Sequence, residues 1–318
     1  KKNLTLSSRI NGFKTITPID KKNTGELEFN THYKRGLHQM LQIKERVRLL
    51  PETLDHTFMS HITYFSKYLN KKNFFGFTGT YKIYKNKYFN SNLIFMPTNV
   101  QKKFIELPAK ICAEDYDKHL LEICKEIIFH FSIGRKILVI CKDIKEGYKI
   151  KNLLEEEKFN LEEKQVFIND NYKKDIFLYV RNDENNLEKK LNETEKRIII
   201  ATNLGGRGTD IKTSPEVEEK GGLHVIITKV SENSRTQKQA FGRTSRQGKK
   251  GSGQYIFTEK KGLKTYNQLI KDRDEKEKNY IDNINLDYLI LKDKLFENYI
   301  NFINQMKDLE DEEEKYIK

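Results

Sequence analysis

Short apolar runs alternate with stretches of helical spacing through the second half of the chain. The apolar runs, short enough for single strands, lie at 93–95, 137–141, 177–180, 198–202, 224–228 and 254–257. Helical spacing, with an apolar residue at every third or fourth position, covers 116–131, 144–156 and 187–191, and Gly134 ends the first of these. Strands that alternate with helices predict an α/β fold, a parallel sheet covered by helices on both faces.

Different patterns flank this region on each side. Up to residue 40 the chain mixes short β-like runs with turn residues, and helical spacing then appears at 41–48 and 57–69, before a glycine loop at 76–80. From residue 263 onwards the chain predicts helix, with one apolar stripe made of Ile284, Tyr288, Leu291, Leu295, Tyr299, Phe302, Met306 and Leu309. We expect this stripe to pack on another helix or on the α/β region, and a generic bundle or coiled-coil helix fits it equally well.

Composition narrows the class of protein. The 318 residues leave room for one large or two modest domains, with 36% hydrophobic and 33% charged residues. The net charge of +13 is diffuse and interleaved with Glu, which favours a solvated surface over nucleic-acid binding and leaves a weak attraction to anionic lipid. Three cysteines and seven histidines lack metal-ligand spacing, so no metal site is predicted. The sequence contains neither an 18-residue apolar span nor a secretion signal.

A glycine-rich loop follows the apolar run at 198–202. Ligands of such sheets bind at the carboxyl ends of the strands, where we expect this loop to lie. Its residues Gly205, Gly206 and Gly208 permit positive φ angles and let backbone N–H groups approach an anion closely, and Arg207 adds a cation. Thr209 and Asp210 offer a hydroxyl and a carboxylate to ribose, water or a bound metal. An ordinary turn in which Asp210 caps the following segment explains the loop alone equally well.

A second polar block farther along the chain favours an anion-binding loop over an ordinary turn. Arg243 and Arg246 are three residues apart, so a helix would project both from one face, with Gln239 one turn earlier. Arginine binds phosphate oxygens through two parallel hydrogen bonds and neutralises charge on a transferring phosphoryl group. Two surface arginines are the alternative in so basic a chain. The two blocks together favour a nucleotide-phosphate site.

These blocks resemble motifs V and VI of superfamily 2 motor ATPases, and the fuller strings resemble the SecA preprotein translocase family. The strings that carry the resemblance are ATNLGGRGTDI at 201–211, FGRTSRQGKKGSGQYIF at 241–257, GLHQ at 36–39, FTGT at 77–80 and PTN at 97–99. They follow the order that the family uses and extend over about residues 30 to 260. This combination is more specific than any one motif.

The resemblance implies a fold, a domain order and roles for individual residues. It implies the tail of a crosslinking and first nucleotide-binding domain at 1–92, a second RecA-like motor domain at 93–262 and the start of a helical scaffold at 263–318. ATP and Mg²⁺ would lie between two RecA-like domains, with Arg243 and Arg246 as arginine fingers and Gln239 sensing phosphate or water. The loop from Gly205 to Asp210 would contact the nucleotide. The implied partners are an unfolded preprotein, a SecY-like channel and an anionic membrane surface, at a peripheral cytoplasmic or stromal location.

Some parts of the family's pattern are absent or altered. The sequence contains no Gly-x-x-x-x-Gly-Lys-Ser/Thr string and no apolar strand that ends in an Asp-Glu pair, and it begins at Lys1 without methionine. We therefore expect a fragment that is inactive alone, with its Mg²⁺ ligands upstream. Ser245 stands where the family has glycine, Gly205 where it has alanine, residues 181–183 read Arg-Asn-Asp, and 160–174 is a polar insertion. A superfamily 2 nucleic-acid helicase and a degenerate, non-hydrolysing binding module remain as alternatives.

Overall fold

The computed structural model describes most of the chain in two compact units. The described residues are 4–10, 13–18, 28, 31–51, 60–61, 64–65, 75–80, 94–113, 115–156, 170–179, 197–202, 210–259, 264–282 and 286–317. One unit comprises Lys1–Leu49 with Met96–Lys276, and the other comprises Leu50–Phe95 with Glu277–Lys318.

A parallel sheet organises the first unit. Its strands are β3 (Lys103–Glu106), β4 (Lys110–Ala113), β5 (Lys136–Ile140), β6 (Ile176–Tyr179), β7 (Ile198–Ala201), β8 (Leu223–Ile227) and β9 (Lys250–Glu259), after an antiparallel hairpin of β1 (Leu4–Ile10) and β2 (Phe13–Pro18). The spatial order is β3-β9-β8-β5-β7-β6, with β4 also paired to β9, and every pair is parallel. The central strands β5, β7 and β8 are buried along their whole length, as expected for a sheet covered on both faces.

Helices connect these strands. They are α1 (Leu37–Lys44), α2 (Tyr116–Ser132), α3 (Ile144–Glu156), α4 (Pro215–Glu219), α5 (Ser234–Phe241), α6 (Tyr266–Asp282) and α7 (Leu286–Ile317). Side chains cap several of them: the Asp115 carboxylate accepts from Lys118 N, and the Asn233 amide oxygen accepts from Thr236 N. Helix α6 begins with a capping box, in which Thr265 and Gln268 hydrogen-bond to each other's backbone N–H. The predicted α/β fold with a following helical segment is confirmed.

One edge of the sheet was not predicted from the pattern. Strands β3 and β4 pair with the first and second halves of β9, so they share one edge position with a break between them. Pro108 lies in that break, and its carbonyl accepts from Gln254 Nε2 at 2.9 Å. Four-residue strands with mixed exposure give no clear period, which explains why the apolar pattern missed them.

Several elements differ from the sequence-based predictions. The strand predicted at 93–95 is wrong, because Ile94 and Phe95 lie in exposed, non-strand backbone. The helix predicted at 41–48 begins earlier, at Leu37, and ends at Lys44. Of the helix predicted at 57–69, the described residues His61, Tyr64 and Phe65 are helical, whereas Ser60 is not. The short helix at 187–191, residues 181–183 and most of the polar insertion lie outside the described residues, and 170–175 form a 3₁₀ turn.

In the second unit, α7 carries the apolar stripe. Ser60 donates its backbone N–H to Asp293 Oδ1 at 2.7 Å and its hydroxyl to Oδ2 at 2.5 Å, which ties α7 to the preceding segment. The stripe residues Leu291, Leu295, Tyr299, Phe302, Met306 and Leu309 are exposed. The prediction that this stripe packs is therefore wrong for these residues. Periodicity identifies an apolar face of a helix but does not show whether another element packs on it. No helix among the described residues has the length and apolar character needed to cross a membrane.

Buried histidines lie between α2 and the sheet. His119 Nε2 lies 3.0 Å from Ile256 O, and the His130 ring stacks on His224 with centroids 3.7 Å apart. Burial, reinforced by Lys142, lowers the pKa of His119 from 6.5 to about 4. Burial, reinforced by His130 and Arg135, lowers the pKa of His224 to about 2. Both rings are therefore neutral in the folded protein at neutral pH.

This burial predicts acid sensitivity. Because the unfolded chain binds protons near pH 6.5 and the folded chain does not, the free energy of unfolding should fall as pH drops below about 6.5. Each ring lowers the free energy of unfolding by about 1.4 kcal/mol per pH unit below pH 6.5. This loss ends near pH 4 for His119 and continues to lower pH for His224. Urea titrations at pH 7 and pH 5 should show a smaller stability difference for His119→Gln than for the unmodified protein. An equal difference would contradict the prediction.

Candidate active site

An ion pair joins the two sequence blocks singled out above. Arg246 Nη1 lies 2.6 Å from Asp210 Oδ1, and Arg246 Nε donates to Gly242 O at 2.9 Å. The Asp210 side chain is exposed and that of Arg246 is partly exposed, whereas Arg243 is 6% exposed. Burial, followed by the Arg246 charge, lowers the pKa of the Arg243 guanidinium, which Asp210 and Tyr179 partly offset. The structure thus brings Asp210, Arg243 and Arg246 together.

The arginines do not project from one helix as predicted. Helix α5 ends at Phe241 with Gly242 as its C-cap, so Arg243 follows the helix and Arg246 begins a separate 3₁₀ turn. A Cβ at Gly242 would lie 2.7 Å from Lys238 O, so the close turn at this point requires glycine. Gln239 remains on α5 and is half-buried. We call the segment 242–249, between α5 and β9, the arginine loop.

Two hydroxyl groups anchor the arginine loop between its arginines. Thr244 Oγ1 donates to Leu223 O at 2.7 Å, and Ser245 Oγ donates to Lys103 O at 3.0 Å. These acceptors lie at the first residues of β8 and β3. A Cβ at Gly251 would lie 1.9 Å from Thr244 Oγ1, so only glycine leaves room for this anchor. The loop is therefore fixed to the sheet at two points.

Ser245 explains why glycine suits this position in the resembled family. Its φ of 56° and ψ of 37° lie in the left-handed region, which costs a non-glycine residue roughly 1 kcal/mol. In this chain the hydrogen bond from Ser245 Oγ to Lys103 O offsets that cost by a similar amount. The serine is therefore a substitution that the local structure accommodates.

This balance gives a pair of stability predictions. Ser245→Gly should change the free energy of unfolding by less than about 1 kcal/mol, because the relieved strain and the lost hydrogen bond nearly cancel. Ser245→Val should destabilise by about 2–3 kcal/mol, because a β-branched residue tolerates the left-handed region poorly and cannot donate. Chemical denaturation of both variants measures the difference. Equal stability of the two would show that the left-handed backbone imposes no constraint.

A polar cavity of 720 Å³ opens beside the arginine loop. It is lined by Asp210, Ile211, Lys212, Thr213, Glu218, Leu223, Arg243, Thr244, Ser245, Arg246, Gln247, Lys249 and Lys250. Five of these side chains are basic and two are acidic, so the cavity carries positive charge. A concave, basic surface with an arginine fork suits a phosphate-bearing ligand.

The cavity lies at the opposite end of the sheet from the one predicted. Leu223 and Lys250 are the first residues of β8 and β9, and Lys136, the first residue of β5, donates its Nζ to Lys212 O at 3.2 Å. The carboxyl ends were expected to hold the ligand because that is usual for open α/β sheets. A helix that connects two parallel strands returns the chain to the amino end, so the loop after α5 must lie there.

The predicted residues divide into three groups. Asp210, Arg243 and Arg246 line the cavity, whereas Gln239 is not among its lining residues. Gly205, Gly206, Arg207, Gly208 and Thr209 lie outside the described residues. Lys212, Lys249 and Lys250 were not predicted from the motifs, although the GKKG string at 248–251, two residues after Arg246, was a usable signal.

Other polar contacts organise the cavity wall. Lys249 Nζ lies 3.9 Å from Glu218 Oε1 and 3.3 Å from Thr213 Oγ1, and Thr213 donates its hydroxyl to Glu218. Glu218 also accepts from Lys250 N at 3.1 Å. Within the described residues, no cluster of three or more His, Cys, Asp or Glu side chains could hold a metal ion. The described part of the site therefore supplies cationic side chains, but no cluster of side chains that could hold Mg²⁺.

Residues 118–248 match the helicase conserved C-terminal domain family. The chain is 28% identical over 239 residues to protein translocase subunit SecA 2 of Geobacillus thermodenitrificans, covering 74% of this chain and 28% of that protein. It is 30% identical over 247 residues to protein translocase subunit SecA of Helicobacter pylori, covering 74% of this chain and 26% of that protein. The chain thus spans about a quarter of the length of these relatives. The predicted resemblance is confirmed.

Solved structures give weaker similarities. The DEAD-box helicase Mss116 bound to single-stranded RNA and UDP-BeF is 20% identical, with a TM-score of 0.36 over 50% of this chain and 29% of that chain. Dbp5 of S. cerevisiae bound to RNA and ADP BeF3 is 16% identical, with a TM-score of 0.34 over 66% of this chain and 50% of that chain.

Proposed function

We propose that this chain, a relative of the SecA translocases with a helicase conserved C-terminal domain at residues 118–248, is the second motor half of an ATP-driven preprotein translocase. The observation that carries the proposal is the basic cavity, into which one anchored loop presents Arg243 and Arg246 beside Asp210. Asp210 of the first sequence block and Arg243 and Arg246 of the second, separated in sequence, all line this cavity.

The proposed chemistry uses the arginine fork. Arg246 pairs with Asp210, and a γ-phosphate that reaches the cavity competes with that carboxylate for the guanidinium. Arg246 and Arg243 then neutralise charge that develops on the transferring phosphoryl group. The 205–209 loop contacts the nucleotide, and Gln239 senses phosphate or water through movement of α5. The Walker A lysine and the Mg²⁺ ligands come from the other motor half.

The proposed partners follow from the same relationship. The motor acts on unfolded preproteins and pushes them through a SecY-like channel, from a cytoplasmic or stromal position at the membrane. Closure of the cleft between two RecA-like halves couples hydrolysis to movement of the helical segment α6–α7. The charge of +13 supports a weak attraction to an anionic membrane surface.

A nucleic-acid helicase is the second candidate. The match to a helicase C-terminal domain over residues 118–248 is compatible with it, because that domain is common to both classes of motor. The GLHQ, FTGT and PTN strings favour the translocase. A non-hydrolysing binding module is the third candidate, because Ser245 and the 160–174 insertion depart from the sequence pattern of the resembled family.

ATP turnover of the complete protein, with two competing stimulants, tests the proposal. We expect an unfolded preprotein to raise the rate of ATP hydrolysis and single-stranded RNA to leave it unchanged. Stimulation by RNA alone would identify a helicase. Binding of a fluorescent ATP analogue without any hydrolysis would identify the non-hydrolysing module, and absence of binding would refute the nucleotide site itself.

A further inference from the structure

Helix α6 holds both polar atoms of one side chain on α5. Arg273 Nη1 donates to Gln237 Oε1 at 2.6 Å, and Gln237 Nε2 donates to the Tyr266 hydroxyl at 3.4 Å. Tyr266 in turn donates to Glu106 Oε1 at 3.0 Å, at the end of β3. The four groups form one chain of hydrogen bonds in which each donor has an acceptor.

The α6 side of this contact is well ordered by its neighbours. Tyr266, Leu269 and Arg273 are spaced at i, i+3 and i+7, so they lie on one face of the helix. Leu269 and Tyr266 pack against the sheet's apolar cluster, and the Tyr266 ring lies 5.3 Å from that of Tyr255. Arg273 is only 8% exposed, although it is charged. Its Nε and Nη2 bind Asp274 Oδ1 at 2.9 and 2.8 Å.

The α5 side of the contact leads directly to the candidate site. Gln237 lies two residues before Gln239, in a helix of eight residues that ends two residues before Arg243. So short a helix is not stable by itself, and its orientation depends on the contacts along its sides. Ala240 and Phe241 fix one side to the core, and α6 holds the side that carries Gln237.

We propose that Arg273 is a positioning residue, which through the amide of Gln237 fixes α5 and so sets the position of the arginine loop for ATP turnover. The position of helix α6 then controls whether Arg243 and Arg246 reach a bound phosphate. This inference rests on the proposed ATPase function, because its effect is read at the arginines. Arg273 itself touches no residue of the cavity lining in the contacts described.

Variants of the complete protein test the contact through turnover. Arg273→Ala and Gln237→Ala should each lower kcat about tenfold and leave KM for ATP within about twofold, because phosphate contacts form late in the reaction. The double variant should be no slower than either single variant, since both remove one contact. Arg273→Lys should recover part of kcat. Lys271→Ala, at an exposed position of the same helix, is the matched control and should behave as the unmodified protein.

A second readout does not depend on turnover. Hydrogen exchange of the backbone amides of 234–241 should become faster in Arg273→Ala and stay unchanged in Lys271→Ala. If the unmodified protein hydrolyses ATP and Arg273→Ala matches its kcat, the inference is wrong. If the unmodified protein neither binds nor hydrolyses ATP, the proposed function fails, and unchanged exchange at 234–241 then overturns the positioning role separately.

Discussion

Replacing Arg246 by alanine should abolish ATP turnover in the complete protein while leaving nucleotide affinity close to its original value. Arg246 lies on the wall of the basic cavity, and its guanidinium is already oriented by Asp210 and Gly242 O. An arginine that stabilises charge only in the transition state contributes to kcat far more than to binding. Loss of such an arginine typically lowers kcat by about 10³ to 10⁵. Stopped-flow nucleotide binding and steady-state phosphate release measure the two effects separately.

Three comparisons sharpen this test. Arg246→Lys keeps the charge but not the two-pronged hydrogen bonding, so its kcat should stay well below that of the unmodified protein. Arg235→Ala removes an exposed arginine of α5 and serves as the matched control. The melting temperature of Arg246→Ala should hardly change, because a solvent-exposed ion pair contributes less than about 1 kcal/mol. Normal turnover in Arg246→Ala would refute its role as an arginine finger.

Gly251→Ala should strongly destabilise the first unit. The new Cβ would lie 1.9 Å from Thr244 Oγ1, 2.6 Å from Ser245 Oγ and 2.9 Å from Ser245 N. Rotation of Thr244 relieves the first clash only by breaking its hydrogen bond to Leu223 O, and the backbone contact remains. We expect a loss of about 3 kcal/mol, equivalent to roughly 10 °C in melting temperature.

Gly76→Ala is the control for this substitution, because a Cβ there meets nothing within 4 Å. It should melt within about 2 °C of the unmodified protein, since surface changes away from packed features have small effects. Gly251→Ala should also lower kcat, because the loop that carries Arg243 and Arg246 must shift. Unchanged stability in Gly251→Ala would mean that the anchors at Thr244 and Ser245 are readily displaced.

The sheet was predictable where burial is complete. Strands β5, β7 and β8 are continuous apolar runs, and α2 and α3 show clear amphipathic spacing, so pattern and structure agree within a residue or two. The edge strands β3 and β4 were not predictable in this way. Pairing with β9 stabilises them, and that pairing depends on residues far away in sequence.

The candidate site divides along the same line. The types of residue in the site, a carboxylate and two arginines, were predicted from motifs. The contact between Asp210 and Arg246 was not predictable from local spacing, because these residues are 36 positions apart in sequence. The helical geometry assumed for Arg243 and Arg246 was wrong because Gly242 ends α5, and a glycine at this position is a helix-end signal that the sequence contains. The end of the sheet could have been derived from topology alone, since every helix-to-strand loop of a parallel sheet lies at the amino ends.

The two hydroxyl anchors at Thr244 and Ser245 have a kinetic consequence. Because the backbone between Arg243 and Arg246 is tied to β8 and β3, that backbone moves with the sheet and makes no separate conformational search. In the proposed motor, little backbone ordering entropy would then be lost at each catalytic cycle. The approach of the arginine loop to a phosphate would be a rigid-body displacement, of the kind that takes microseconds to milliseconds, and its rate would set an upper limit on turnover.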